Sequence, residues 1–145
     1  MPNSGAPAKS SAPRARAKPV IREHKIPTPD SKPYIAVEGP DGNLWFCESG
    51  ASKSGCFDPA AGTFRVFALP AAGSVPVGIA VGGDGNLWFT ENFANKIGRM
   101  DSTGSIIAEY EIPTSASGAR CIAAMSDGRL FFTQYDAGLI GELIP

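Results

Sequence analysis

The sequence predicts an all-β fold made of β-propeller blades, and two repeated features support that prediction. Asp-Gly turns recur 43 residues apart, each followed by a Leu-aromatic-Phe run; the turns are Asp41-Gly42, Asp84-Gly85 and Asp127-Gly128. The same offset relates Gly55, Gly98 and Gly141. Short strands repeating every 40 to 50 residues or so are typical of a four-stranded antiparallel propeller blade. We therefore expect residues 21–145 to form three such repeats.

The middle repeat shows where the four strands of one blade are expected. They cover residues 76–81, 87–91, 95–100 and 107–113. Asp84-Gly85 between the first two strands favours a tight type I′ hairpin, which needs positive φ at both central residues. The fourth strand is expected to stop at Pro113, because proline has no N–H for the ladder. Trp88 and Phe89 of the second strand are expected to pack between neighbouring blades.

The number of blades is small for a propeller. Propellers close with roughly four to eight blades, and each blade buries its apolar faces only against its neighbours. Residues 21–27 align with a fourth strand, whereas the last repeat shows three strands. We therefore predict that residues 21–27 supply the outer strand of a C-terminal blade. Three hypotheses follow: closure within one distorted chain, a homodimer in which two copies complete one ring head to tail, or a truncated copy of a longer gene.

The composition restricts partners and location. The net charge is −1, which argues against nucleic acid or an acidic membrane as the main partner. Residues 1–20 are rich in Pro, Ala, Ser and Gly and carry only basic charges, so we expect a disordered basic leader. No segment has the apolar core of an export signal or of a membrane span. The expected location is the cytoplasm.

The three cysteines give an odd count and no metal-ligand spacing. Cys47 and Cys56 fall on adjacent predicted strands, within reach of a disulfide. Without an export signal we expect these two residues and Cys121 to be free thiols instead.

Polar residues recur where two strands of each blade meet at one end. The start of a first strand and the end of a second strand share one end of a blade, because consecutive strands are antiparallel. The starts contribute Lys32, Tyr34 and Arg120, and the ends contribute Glu48, Glu91 and Gln134. We predict that the two carboxylates hold a divalent cation and that the other four side chains bind a small polar molecule or a peptide at the channel rim. The alternative is that each is a solvated strand end.

Four phrases of the repeats point to a known family. They are Gly-Pro-Asp-Gly-Asn-Leu-Trp-Phe-Cys-Glu, Gly-Asp-Gly-Asn-Leu-Trp-Phe-Thr-Glu, Asn-Lys-Ile-Gly-Arg-Met-Asp and Glu-Tyr-Glu-Ile-Pro-Thr. Residues 21–145 thereby resemble the streptogramin B (virginiamycin B) lyases. The resemblance implies a seven-bladed propeller that opens a cyclic depsipeptide antibiotic by elimination at its ester bond. It also implies Mg²⁺ as the electrophile and a histidine as the proton acceptor.

At the positions where the resemblance places the catalytic base, this sequence has no histidine. In the lyases the histidine follows a proline at the start of a first strand, within Glu-Pro-His-Gly-Ile. The matching positions hold Tyr34, Val77 and Arg120, and the glutamate of that motif is replaced by Lys32, Val75 and Gly118. The lone histidine, His24, lies on the predicted outer strand and is expected to be a surface residue.

The later metal-binding glutamate of the family, after the Trp-Phe pair, matches Glu48 and Glu91. Two functions therefore remain open. One is a lyase-like enzyme whose activity needs blades from a second subunit, with Mg²⁺ as its cofactor. The other is a non-catalytic module that binds a polar ligand or a protein partner at the channel rim.

Overall fold

The structure, a computed structural model, describes residues 15–145 together with residues 2 and 5, and it is all-β as predicted. The strands of this part of the chain form three antiparallel sheets, which are the blades. Blade 1 contains β1 (Pro33–Glu38), β2 (Leu44–Glu48), β3 (Lys53–Asp58) and β4 (Thr63–Ala68). Blade 2 contains β5 (Pro76–Val81), β6 (Leu87–Glu91), β7 (Lys96–Met100) and β8 (Ile106–Glu111). Blade 3 contains β9 (Ala119–Ala124), β10 (Leu130–Gln134) and β11 (Leu139–Leu143).

The predicted leader over residues 1–20 falls largely outside the described residues and stays a prediction. Residues 15–20 belong to no helix or strand. In the part of the chain that is described, no helix is long and apolar enough to cross a membrane. The three cysteines are free, with Cys47 and Cys56 buried and Cys121 exposed.

The Asp-Gly turns join the first and second strands as predicted, but the predicted type I′ geometry is wrong. Gly42 has a φ of +76°, whereas Asp41 is not among the residues with positive φ. The Gly42 N–H donates to the Gly39 carbonyl at 3.0 Å, and the Gly39 N–H donates to the Asn43 carbonyl at 2.8 Å. This is a three-residue loop. The Asp41 carboxylate fixes it by accepting hydrogen bonds from the Asn43 N–H and from Trp45 Nε1.

Each blade has two faces, which we name by residues of its second strand. The front face carries Phe46, Phe89 or Phe132 in blades 1, 2 and 3, and the back face carries Trp45, Trp88 or Phe131. The back faces of blades 1 and 2 pack against the front faces of blades 2 and 3. One core contains Trp45, Cys47, Cys56, Leu69, Ile79, Leu87, Phe89 and Met100. The other contains Ala80, Trp88, Ile97, Ile112, Ala119, Ile122, Leu130 and Phe132. The packing role predicted for the Trp-Phe pair is confirmed.

The N-terminal segment, residues 21–27, lies along the front face of blade 1 and is not a strand. The prediction of an outer strand here is wrong for the single chain, because a strand needs a ladder partner and no described strand pairs with this segment. His24 is exposed, as predicted, and its ring centroid lies 4.6 Å from that of Phe57. Ile26 is half-buried in the same apolar cavity.

Candidate functional site: the channel mouth

The first strands of the three blades are neighbours around the channel, since β1 contacts β5 and β5 contacts β9. Each carries a β-bulge at the same repeat position, where two of its residues face one residue of the second strand. The bulged pairs are Tyr34-Ile35, Val77-Gly78 and Arg120-Cys121. A bulge bends its strand and re-aims the side chain that it carries. Here it directs one side chain per blade toward the channel mouth.

Threonine hydroxyls hold two of these bulges. Thr90 Oγ1 accepts the Gly78 N–H at 2.9 Å and donates to the Arg120 carbonyl of the next blade at 2.6 Å. Thr133 Oγ1 accepts the Cys121 N–H at 3.0 Å. The extra residue of each bulge therefore has a partner for its N–H although it is out of the ladder. The bulge geometry depends on the second strand rather than on the side chain that is presented.

A cleft of about 230 Å³ opens where the bulges converge. It is lined by Tyr34, Ser49, Val75, Val77, Asn92 and Arg120. Two of the side chains predicted to bind ligand, Tyr34 and Arg120, therefore share one cleft. Ser49 and Asn92 were missed by sequence reasoning. The signal was present, because the 43-residue offset relates them, one position after the end of each second strand.

Arg120 is the cationic group of this cleft. Its guanidinium carbon lies 3.8 Å from the ring centroid of Tyr135, which is 66% exposed. A cation over an aromatic face is attracted by the ring quadrupole, so the stacking fixes the direction of the guanidinium. Within the described residues, Arg120 takes part in none of the ion pairs. Arg120 therefore lines the cleft without an ion-pair partner among the described residues.

The residue before each first strand has a left-handed backbone. The φ values are +44° for Lys32, +52° for Val75 and +67° for Gly118. Hydrogen bonds from the residues that follow the second strand hold two of these backbone positions. The Lys32 carbonyl accepts a hydrogen bond from the Ser49 hydroxyl at 2.8 Å, and the Val75 carbonyl accepts one from the Asn92 N–H at 3.0 Å. A β-branched residue in this conformation is strained. Lys32 is exposed and does not line the cleft.

The ends of the second strands are buried instead of lining the cleft. Glu48 and Glu91 are 0% exposed, and Gln134 is 7% exposed. All three lie on front faces by strand alternation. Neither carboxylate oxygen of Glu48 or Glu91 has a hydrogen-bond partner among the described residues, and neither does Gln134 Oε1. The assignment of these residues to a metal and to a ligand stays a prediction.

Glu91 lies in a charged group on the front face of blade 2. Lys96 Nζ is 3.6 Å from Glu109 Oε2. Burial and then the neighbouring Glu109 carboxylate raise the pKa of Glu91 to about 8, although Lys96 acts in the opposite direction. The same carboxyl contributes, after burial, to the raised pKa of the Cys47 thiol on the facing blade. At neutral pH Glu91 therefore holds its proton.

The residues at the channel mouth do not fit a magnesium ion. Mg²⁺ takes oxygen ligands in an octahedron, with one or two carboxylates among them. Glu48 and Glu91 belong to the front faces of different blades, and neither lines the cleft, where the charged side chain is that of Arg120. Residues 15–145 contain no group of three or more His, Cys, Asp or Glu side chains arranged to hold a metal.

Comparison with known proteins identifies the relatives of this fold. Residues 8–145 match the Virginiamycin B lyase family. A streptogramin B lyase structure is 37% identical, with a TM-score of 0.82. Virginiamycin B lyase from Staphylococcus aureus is 39% identical, with a TM-score of 0.77. A catalytically inactive histidine-to-alanine form of the S. aureus enzyme, with quinupristin, is 30% identical, with a TM-score of 0.59. A search of curated proteins finds no match.

The matches cover most of this chain but only about half of each related chain. Each covers 86% of this chain, which in turn spans 41%, 45% and 56% of the three structures. The matches therefore establish the fold and the family. With a family match over nearly its whole length, this chain belongs to the virginiamycin B lyase family.

Proposed function

We propose that this chain binds a carbonyl-rich, peptide-like ligand at the channel mouth, and that it does not carry out ester elimination by itself. The observation behind the proposal is the set of side chains at the three bulges. Tyr34, Val77 and Arg120 converge on one cleft, and none of them has an imidazole. Elimination needs a base within hydrogen-bond reach of the proton that it removes.

The cleft has the chemistry for such a ligand. The Arg120 guanidinium offers several N–H donors in a fixed plane and suits carboxylate or carbonyl oxygens. The Tyr34 and Ser49 hydroxyls add polar contacts, and Val77 supplies an apolar floor. A cyclic depsipeptide, which exposes amide and ester carbonyls, belongs to the ligand class that these groups recognise. Family membership supports the same ligand class.

Lyase action is the second candidate, and family membership favours it. In that case a histidine and a metal site have to come from blades beyond those described here. Under both hypotheses the channel mouth binds the ligand, so the two differ in whether the ester bond is cleaved.

The test uses quinupristin as the probe, because one of the related structures contains it. Calorimetric titration should show binding that Arg120→Gln weakens about tenfold or more, the equivalent of ~1.4 kcal/mol. Arg129→Gln is the matched control: Arg129 pairs with Asp127 and Glu142 and does not line the cleft. Equal affinities of the two variants would contradict the assignment of the cleft.

The second measurement separates binding from catalysis. The chain is incubated with quinupristin and Mg²⁺, and the ligand is then analysed by chromatography and fragmentation mass spectrometry. Elimination leaves the mass unchanged, so a new retention time with a linear fragmentation pattern identifies the lyase product. We expect intact cyclic ligand. A linear product formed by the chain alone would overturn the non-catalytic proposal.

A further inference from the structure

The back face of blade 3 is exposed in the structure, although the same face is buried in the other blades. Phe131, Thr133 and Ile140 line an apolar hollow of about 190 Å³ there, and Ile140 is 67% exposed. Their repeat equivalents are Trp88, Thr90 and Ile97 in blade 2. Those three are at most 2% exposed, because the front face of blade 3 covers them. Blade 3 therefore presents a surface that the fold elsewhere uses to receive a blade.

The front face of blade 1 has the complementary character. It carries Leu44, Phe46 and Phe57, with a cavity of about 270 Å³. The equivalent residues of blade 2 are Leu87, Phe89 and Met100, which pack into the back face of blade 1. By repeat equivalence, the front face of blade 1 has the shape and polarity that the back face of blade 3 accepts.

The N-terminal segment occupies the place of an outer strand relative to blade 1. Ile26 lies in the front-face cavity, where its equivalents Leu69 and Ile112 lie between successive blades. His24 holds the position of Phe67, which stacks on Trp45 of its own blade at 5.6 Å. The segment is therefore positioned as the fourth strand of a blade that would precede blade 1.

We infer that the back face and the free edge of blade 3 bind blade 1 and the N-terminal segment of a second copy of this chain, head to tail. We take the register of the N-terminal segment on β11 of the other copy from the register that pairs β4 with β3 within blade 1. In that register His24 lies opposite Ile140 of the other copy, Glu23 opposite Gly141, and Arg22 opposite Glu142. The last pair places a guanidinium beside a carboxylate, and His24 stacks on the Phe131 ring.

The contact is heterologous, so it forms a ring where the rotation between copies closes and an open filament where it does not. Two copies give six blades, within the four to eight that propellers use. The Thr133 hydroxyl then donates to the Tyr34 carbonyl of the second copy, as Thr90 does to Arg120. The second copy also brings its Tyr34 and Ser49 beside Arg120 and so completes another channel-mouth cleft. The inference does not depend on the proposed function.

Light scattering of the full chain across a concentration series tests the assembly. We expect a mass of about twice 15.1 kDa. Ile140→Asp should give the monomer, and Phe93→Asp should leave the dimer intact. Phe93 is a matched control, because it is 80% exposed and lies outside both open faces. A monomeric native chain, or a mass that keeps growing with concentration, would overturn the inference.

Cross-linking tests the register. His24→Cys and Ile140→Cys are made in separate chains that both carry Cys121→Ser, and the two proteins are mixed and oxidised. Only contact between copies can link them, and we expect a disulfide-linked pair. Leu139→Cys in place of Ile140→Cys points to the opposite face of β11 and should link poorly. Equal linking by both partners, or none by either, would contradict the strand pairing.

Discussion

Replacing Thr90 with valine removes the hydroxyl that joins blade 2 to blade 3 and keeps the side-chain shape. Thr90 is 0% exposed. Its Oγ1 accepts the Gly78 N–H at 2.9 Å and donates to the Arg120 carbonyl at 2.6 Å. Valine leaves both backbone groups without this partner, and of the two contacts the one to Gly78 is buried and the one to Arg120 is partly buried. The variant should therefore lose stability without leaving a cavity.

The expected loss of unfolding free energy follows from the two backbone groups that Thr90→Val leaves unpaired. A buried polar group without a partner costs about 1–3 kcal/mol. The Gly78 N–H is buried, whereas the Arg120 carbonyl is partly buried and takes the low end of about 1 kcal/mol, so the two should together cost ~2–4 kcal/mol of unfolding free energy. Cys47→Val is the matched control at the same repeat position. The Cys47 Sγ lies 3.6 Å from the Gly78 carbonyl, which is a weak thiol contact. Its loss should cost less than about 1 kcal/mol.

Urea unfolding followed by tryptophan fluorescence measures both variants. With a slope of about 2 kcal/mol per molar urea, Thr90→Val should lower the midpoint by ~1–2 M and Cys47→Val by less than ~0.5 M. Circular dichroism should report the same transition, which checks that the blades unfold together. Equal midpoint shifts in the two variants would refute the role given to the bridging hydroxyl.

Four further substitutions test other parts of the structure by the same unfolding assay. The pKa of Glu91 is raised from 4.5 to about 8, so the folded chain keeps a proton that the unfolded chain releases, and stability should fall as pH rises between those values. The slope reaches at most about 1.4 kcal/mol per pH unit, and Glu91→Gln should abolish it. Val75→Gly should stabilise by up to ~1 kcal/mol by relieving the φ of +52°, and Gly118→Val should destabilise. Gly98→Ala should cost about 1–3 kcal/mol, because the Phe89 ring occupies the space of the new methyl group. No change in midpoint with Gly98→Ala, or a pH slope that survives Glu91→Gln, would contradict the corresponding contact.

The fold was predictable because the repeat is exact in spacing and its periodic residues have separate physical roles. The prediction of a blade from Asp84-Gly85 was right even though the turn type was wrong, since any short loop there pairs the flanking strands. Trp88 and Phe89 pointed to the blade interfaces through their size. Gly98 is explained only by the structure: its lack of a side chain makes room for the Phe89 ring.

The site was harder to predict, because neither the burial of a side chain nor the position of a β-bulge follows from residue types alone. The polar ends of the second strands suggested solvent-facing ligands, yet Glu48 and Glu91 are buried. The bulges depend on how Thr90 and Thr133 bond to the neighbouring strand, which no local pattern reveals. Residues 21–27 were predicted to be a strand from the repeat alignment, and in the single chain no described strand pairs with them.

The channel mouth explains why membership of the family does not fix the chemistry. In blades 2 and 3 the bulge is held by a second-strand threonine hydroxyl, so the side chain that it presents contributes little to the fold. Tyr34, Val77 and Arg120 occupy this position in three blades of one chain on the same backbone path. Under the proposed function, a cation or an apolar residue at this position in place of a base removes the catalytic step and leaves the propeller intact. The proposal therefore assigns ligand chemistry to the side chains at the bulges and the fold to the rest of the blade.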